Sequence, residues 1–189
     1  MGTVILSMQL SLDGRIAGPN GEFDWPIVGD ELLGFFNDQI ADAETFLYGR
    51  RMYLEMAEFW PTGDSNPVAT PAMADYARLW RPMPKIVFSD TLQQADWNTS
   101  IVGSDDLAAA VAELRSRDGG RHILYGGAHL AGALMGRDLI DEYWLFVHPV
   151  ILGAGPRLFG DLARRLTLEL VESRTFPGAV VHVRYRSAH

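Results

Sequence analysis

Apolar runs punctuated by turn residues set out the strands of this chain. Val4 to Leu12 (VILSMQLSL) reads as a first strand entering the core, and Asp13-Gly14 ends it in a turn whose glycine accepts positive φ. A long Gly/Pro loop follows, through Gly18-Pro19-Asn20-Gly21 to Trp25-Pro26, either a mobile lid or a plain connection, and its length leans towards function. Thr45 to Tyr48, Lys85 to Ser89 and Thr99 to Val102 are further short strands. Helical spacing fills the gaps between them. Asp30 opens a helix, as its N-cap, with Leu32, Phe36 and Ile40 on one face; Met52, Leu54 and Met56 mark a second. Ser104, as N-cap, with Asp105 and Asp106 in the first turn, starts a third, whose buried face is Leu107, Val111 and Leu114. Trp60 to Pro71 reads as an irregular polar linker.

Arg121 to Gly136 (RHILYGGAHLAGALMG) is a strand, a Gly-Gly turn and a helix. Glycines there let a ligand approach the backbone, and the helix presents unpaired N–H groups to an anion. Gly126, Gly127 and Ala128 are therefore candidate pyrophosphate contacts, although a plain strand-to-helix turn explains the stretch equally well. Gly49-Arg50-Arg51 repeats the arrangement, with two guanidinium groups at a helix start, as suits a phosphate; the alternative is a solvated basic pair. Beyond residue 140 the helices stop. Tyr143 to Val147, Leu166 to Leu170 and Val180 to Arg186 are strands, and Pro177-Gly178 joins the last two as a hairpin. Strands alternating with helices over the first two thirds predict a mainly parallel sheet between flanking helices, with an antiparallel edge.

Composition narrows the picture. A chain of 189 residues, 48% hydrophobic, suits one domain spanning 1–189. It has no cysteine, so it can hold neither a disulfide nor a thiolate nucleophile. A net charge of −8 points away from nucleic acid, whose binding needs a basic face. The five histidines are scattered with no i, i+4 pair, so no metal is expected. No apolar run approaches the roughly 18 residues of a membrane span, which makes the cytoplasm the default location. Gly-x-Ser-x-Gly is absent, and Gly153 to Gly160 lacks the Lys-Ser/Thr of a P-loop and reads as a turn.

A first strand leading to a Trp-containing lid, Trp25 five residues before Asp30, then Gly49-Arg50, Ser89 and Gly126-Gly127 in that order, resembles the dihydrofolate reductase fold. Ser11-Leu12-Asp13-Gly14-Arg15-Ile16-Ala17 and His148-Pro149-Val150-Ile151-Leu152-Gly153-Ala154-Gly155 are similar to signatures of the reductase domain of riboflavin biosynthesis and its stand-alone relatives. The resemblance implies an α/β three-layer fold and an NADPH-dependent reductase acting on a small heterocyclic or carbonyl/imine compound. It places the cofactor on Ile16, Ala17, Gly49, Arg50, Arg51, Met52, Ser89, Tyr125, Gly126, Gly127, Ala128 and Leu130, with Arg50, Arg51 and Ser89 at the 2′-phosphate. Gln9, Trp25 and Asp30 fall at the substrate, Asp30 as the catalytic carboxylate. It also implies a cis peptide between Gly126 and Gly127, and a homodimer through the C-terminal strands.

The chain departs from both relatives. Gly-Arg-Arg-Met-Tyr-Leu-Glu-Met replaces the Asp-Asp-Pro-x-Leu-Thr stretch of the riboflavin enzyme, Met52 stands where dihydrofolate reductases carry a threonine, and Gly-Gly-Ala replaces three glycines. The substrate is left open. A true dihydrofolate, pterin or ribosylaminouracil phosphate reductase is one alternative, and a non-catalytic nucleotide or small-molecule binding module is another.

Overall fold

The computed structural model describes residues 1–160 and 162–188. Among the described residues eight strands form one sheet in the order β4-β3-β2-β5-β1-β6-β8-β7. They are β1 (Thr3–Ser11), β2 (Thr45–Gly49), β3 (Lys85–Phe88), β4 (Thr99–Val102), β5 (Arg121–Leu124), β6 (Glu142–His148), β7 (Leu168–Phe176) and β8 (Val180–Ser187). The helices are α1 (Asp30–Ile40), α2 (Arg50–Phe59), α3 (Pro71–Trp80), α4 (Leu107–Ser116) and α5 (Ala128–Met135). β1 lies at the centre and pairs parallel with β5 through Thr3 to Leu6 and with β6 through Ile5 to Ser11. β8 runs antiparallel to both β6 and β7, as the hairpin predicts.

Side chains alternate across the pleat of β1, so each face of the sheet acquires its own core. Val4, Leu6, Met8 and Leu10 pack with Leu107, Val111 and Leu114 of α4 and Leu130 and Leu134 of α5. Ile5 lies on the opposite face, in a cluster with Leu32 and Ile40 of α1, Tyr53 of α2, and Tyr76 and Trp80 of α3. Three layers result.

Several boundaries differ from the sequence reading, each for a local reason. α3 occupies chain just beyond the expected polar linker; Thr70 caps it, accepting from Met73 N–H, and Pro71 sits in the first turn, where its missing N–H is harmless. The linker itself begins with a 3-10 helix over Trp60–Ser65. In α2 the buried residue is Tyr53, while Leu54 faces solvent. Gly29, not Asp30, caps α1. Ser104 gives its hydroxyl to Asp90 rather than to a cap, and a short 3-10 turn over Ser104–Asp106 precedes α4. β7 runs to Phe176, far past Leu170. It is an edge strand whose middle is exposed on both faces, so no hydrophobic alternation marks it.

Buried polar groups pin the layers. Lys85 donates to the carbonyls of Trp80 (2.6 Å), Met83 (2.8 Å) and Trp97 (2.9 Å), closing the end of α3 onto β3, and burial draws its pKa down to about 8. His182 is wholly buried, stacked on Phe146 at 4.6 Å and edge-on to Phe35 at 5.1 Å, with neither ring nitrogen partnered among the described residues. Burial, reinforced by the charges of Arg184 and Arg174, lowers its pKa to about 4. The unfolded chain binds this proton near pH 6.5 and the folded chain only near 4, so stability is complete above about 6.5 and falls as pH drops through that window. His182→Leu is expected to flatten this acid limb by about 2–3 kcal/mol, read from urea midpoints at pH 7.5 and 4.5. An unchanged difference between the two pH values would remove His182 from the account.

Candidate active site

The carboxyl ends of β2 and β5 each turn through glycine into a helix. Gly49 caps α2 and Gly127 caps α5, and neither helix receives a side-chain hydrogen bond at its N-terminus. Their first-turn N–H groups are left for water or an anion. The two turns touch: Gly49 N–H donates to Gly126 O at 3.4 Å, and a β-carbon on Gly49 would stand 3.4 Å from that same oxygen. Gly126 (φ +38) and Gly127 (φ +121) make the second turn with backbone angles that side chains rarely adopt. The cis link expected between them is not found; no cis peptide bond occurs among the described residues, and positive φ makes the turn instead.

Both helix ends open into one cavity of about 780 Å³. Ile16, Ala17, Gly49, Arg50, Arg51, Met52, Ser89, Gly126, Gly127, Ala128 and Leu130 all line it. Tyr125 does not. Its ring turns into the core beside Tyr48, at 5.6 Å and nearly parallel, and burial, with the neighbouring Tyr76 and Tyr48, raises its pKa well above the ordinary value. Arg50 Nη1 meets Thr91 Oγ1 at 3.2 Å, and Ser89 Oγ accepts from the N–H groups of Thr91 and Leu92. Asp90 and Ser104 line the cavity too, and Asp90 accepts from the hydroxyl and N–H of Ser104, bonds that hold its carboxyl below the usual range. Arg51 leans the other way, to Glu55 Oε1 at 2.9 Å and to Gly21 O in the lid at 2.8 Å. It clamps the lid rather than standing free beside Arg50.

The sequence reading missed Arg137, His129 and Phe23, which also line the cavity. Leu130, Ala133 and Arg137 lie at i, i+3, i+7 along α5 and its end, a spacing that would have extended the Gly-Gly site by two turns. Phe23 carried no such signal, since it sits in the loop.

The two family-like signatures prove to be fastened together. Ser11 Oγ donates to Asp13 at 2.7 Å, the largest influence holding that carboxyl well below its ordinary range, and Asp13 also accepts from Leu152 N–H (3.1 Å) and Gly153 N–H (2.9 Å). Arg15 reaches the carbonyls of Gly155 and Gly153. Ile16 N–H donates to Pro156 O at 3.0 Å, which fixes the backbone of the Ile16-Ala17 wall.

Gln9 and Trp25 lie outside this lining, grouped around His148. His148 meets Gln9 at 2.6 Å, accepts from Ile27 N–H at 3.0 Å, and has the Trp25 ring edge-on at 5.5 Å. Phe23, edge-on to Trp25 at 5.6 Å, stands between the group and the cavity it lines. Asp30 is exposed in the first turn of α1, with no hydrogen bond or ion pair among the described residues. The geometry does not bring it into the cavity with the others.

A central mainly parallel sheet, an antiparallel C-terminal hairpin and paired glycine turns around one cleft define a dihydrofolate-reductase-like fold. The chain belongs to the RibD C-terminal domain family, whose model matches residues 2–182. It is 35% identical over 182 residues, covering 96% of this chain and 93% of the relative, to the uncharacterized protein YyaP of Bacillus subtilis (strain 168). Among solved structures it is similar, at TM-score 0.76 and 22% identity over 99% of each chain, to a protein of Shewanella sp. PV-4 assigned provisionally to riboflavin biosynthesis. The dihydrofolate reductase of Enterococcus faecalis complexed with NADP(H) aligns at TM-score 0.63 and 15% identity, over 99% of this chain and 97% of that one. Among the described residues no helix is long and apolar enough to cross a membrane.

Proposed function

We propose that the chain is an NADPH-dependent reductase of a small unsaturated compound. The observation that carries this reading is the convergence of two side-chain-free helix N-termini, those of α2 and α5, on one cavity that Arg50 and Arg137 also line. NADPH carries a pyrophosphate and, apart from it, a 2′-phosphate; the paired helix N-termini suit the first and the Arg50 guanidinium the second. The chemistry of the lining fits the group: glycine where backbone must approach, arginine and serine at the rim, apolar Ile16, Ala17 and Leu130 along the wall.

In this reading Gly126, Gly127 and Ala128 hold one side of the pyrophosphate and Gly49 the other. Arg50, with Ser89 beside it, takes the 2′-phosphate, a task suited to a guanidinium fork. Ile16 and Ala17 meet the nicotinamide, which, once bound, supplies the hydride, while water supplies the proton that completes a two-electron reduction. The chain's own part is to orient both partners and exclude bulk water. Arg51 contributes by tying the lid to α2 through Gly21 O.

Tryptophan fluorescence titrated with NADPH and, separately, NADH tests the reading. Tight NADPH-selective quenching is expected, and Arg50→Ala should weaken NADPH about ten- to a hundred-fold while leaving NADH nearly unchanged. Binding of neither nucleotide would instead favour a module that keeps the fold without this cofactor.

A further inference from the structure

The turn after β3 brings a carboxylate to the same cavity wall as the Arg50 guanidinium. Arg50, Ser89, Asp90 and Ser104 all line that cavity. Arg50 Nη1 is 3.2 Å from Thr91 Oγ1, and Thr91 Oγ1 is 3.5 Å from Ser89 Oγ, so the guanidinium and the serine meet across the residues on either side of Asp90. The turn cannot carry its carboxylate away. Ser89 N–H donates to Val102 O at 2.9 Å, and its hydroxyl accepts from the N–H groups of Thr91 and Leu92. Ser104 N–H donates to Asp90 Oδ1 at 2.7 Å, and its hydroxyl donates to Oδ2. Each carboxylate oxygen therefore has one bond to Ser104 and a lone pair to spare. Those bonds also keep the group ionised at neutral pH. Among the described residues no cation pairs with it: Arg51 is matched to Glu55 at 2.9 Å, and Arg137 gives Nη1 to Ala133 O at 2.9 Å.

We propose that Asp90 is a specificity-determining residue that opposes Arg50 in the choice between NADPH and NADH, so that the preference for NADPH is smaller than Arg50 alone would set. This assignment rests on the reductase reading above and deepens it, by naming the group that limits selectivity at the same site. A 2′-phosphate carries a charge of about −1.5 to −2 at pH 7, where the corresponding hydroxyl carries none. A fixed carboxylate repels the phosphate through space and accepts a hydrogen bond from the hydroxyl. The Arg50 guanidinium acts with the opposite sign on the phosphate. Ser104 is a positioning residue here, because it acts through Asp90.

Asp90→Asn removes the charge and keeps the ties: its amide oxygen still accepts from Ser104 N–H, and its NH₂ donates to the Ser104 hydroxyl. Calorimetric titrations compare this variant with the unaltered protein, using NADPH, NADH, adenosine 2′,5′-bisphosphate and 5′-AMP. The two ligands with a 2′-phosphate should bind the variant about ten-fold more tightly, and the other two should stay within about three-fold. The gain for NADPH should shrink in about 1 M KCl, which screens a charge effect and leaves a change of shape untouched. Asp90→Ser, neutral and suited to a turn, should raise the NADPH-to-NADH preference in the same way. Ser104→Ala loosens the same tie but keeps the charge, so it should not raise that preference. An unchanged preference in both Asp90 variants, equal tightening of all four ligands, or the same rise in Ser104→Ala overturns the proposal and leaves Asp90 as a tie between two loops. Failure of the unaltered protein to bind either nucleotide would instead defeat the reductase reading, and this assignment with it.

Discussion

Alanine at position 155 should both loosen the protein and remove nucleotide binding. Gly155 has φ +108, and a β-carbon there would lie 2.9 Å from the carbonyl carbon of Gly18 and closer still to Ala17 O. Both contacts are backbone, so no side chain can swing aside. Relief requires moving the Ala17-Gly18 segment, which forms a wall of the cavity. The left-handed backbone angle and the overlap together should cost about 2–4 kcal/mol of stability, and NADPH affinity should fall more than ten-fold because Ile16 and Ala17 are displaced. Gly153→Ala is the control. Gly153 also has positive φ (+73), but nothing lies within 4 Å of its β-carbon position, so only the backbone cost of about 1 kcal/mol is expected, with binding kept. Thermal melts and nucleotide titrations of the two variants separate overlap from conformation. Equal losses in both would mean that the close approach to Ala17 is unimportant.

Removing the carboxylate of Glu142 is expected to be the most damaging single change away from the cleft. Glu142 is 6% exposed at the start of β6, next to the central strand. It accepts from Trp144 Nε1 at 3.0 Å and from Arg184 Nε and Nη2 at 2.9 and 3.0 Å. Burial works against its ionisation, but the Arg184 and Trp144 hydrogen bonds outweigh that and hold the carboxyl below its ordinary pKa. Glu142→Ala strands the Arg184 guanidinium, whose side chain is 27% exposed, and the Trp144 N–H; about 3 kcal/mol should be lost. Glu142→Ala with Arg184→Ala should lose less than the sum of the singles, as a coupled pair requires. The pH sign is the carboxylate one: this contribution is present above the unfolded pKa near 4.5 and is lost as pH falls through the lower folded value. Urea unfolding at pH 7 and at pH 4 measures it, and additive single losses would show that the pair is not coupled.

What the sequence could show followed from how local each signal was. Gly126-Gly127 and Gly49-Arg50 were legible because turn chemistry is written in adjacent residues, and both do line the cavity. Buried strands such as Phe46 to Tyr48 announced themselves as apolar runs. α3 is signalled only by Thr70-Pro71, a cap followed by a first-turn proline, and the prolines at 61 and 67 give the stretch before it the character of a loop. β7 was cut short because Glu169, Glu172 and Arg174 interrupt any alternation on an exposed edge. The His148 group was out of reach for another reason. Its hydrogen bonds span 121 residues to Ile27 and 139 to Gln9, and neither composition nor spacing encodes a contact over that distance. Arg51 and Asp30 show the complementary limit: residue type and helix position suggest a phosphate contact for the first and the family resemblance a catalytic carboxylate for the second, but in the fold Arg51 is occupied by the lid and Asp30 faces solvent.

The place of β1 also governs how the chain acquires its shape. It precedes β2 to β8 in the sequence, yet both of its neighbours, β5 and β6, lie beyond residue 120. A nascent chain that has emerged only as far as α3 can assemble no central pair, and β1 must wait unpaired until β5 has been made. Folding is therefore expected to be slow and to begin late, with Val4 to Leu10 exposed to chaperones or to wrong partners in the interval. A cleft lined by Ile16 and Ala17 after β1 and by Gly126 to Leu130 after β5 forms only once both segments are available.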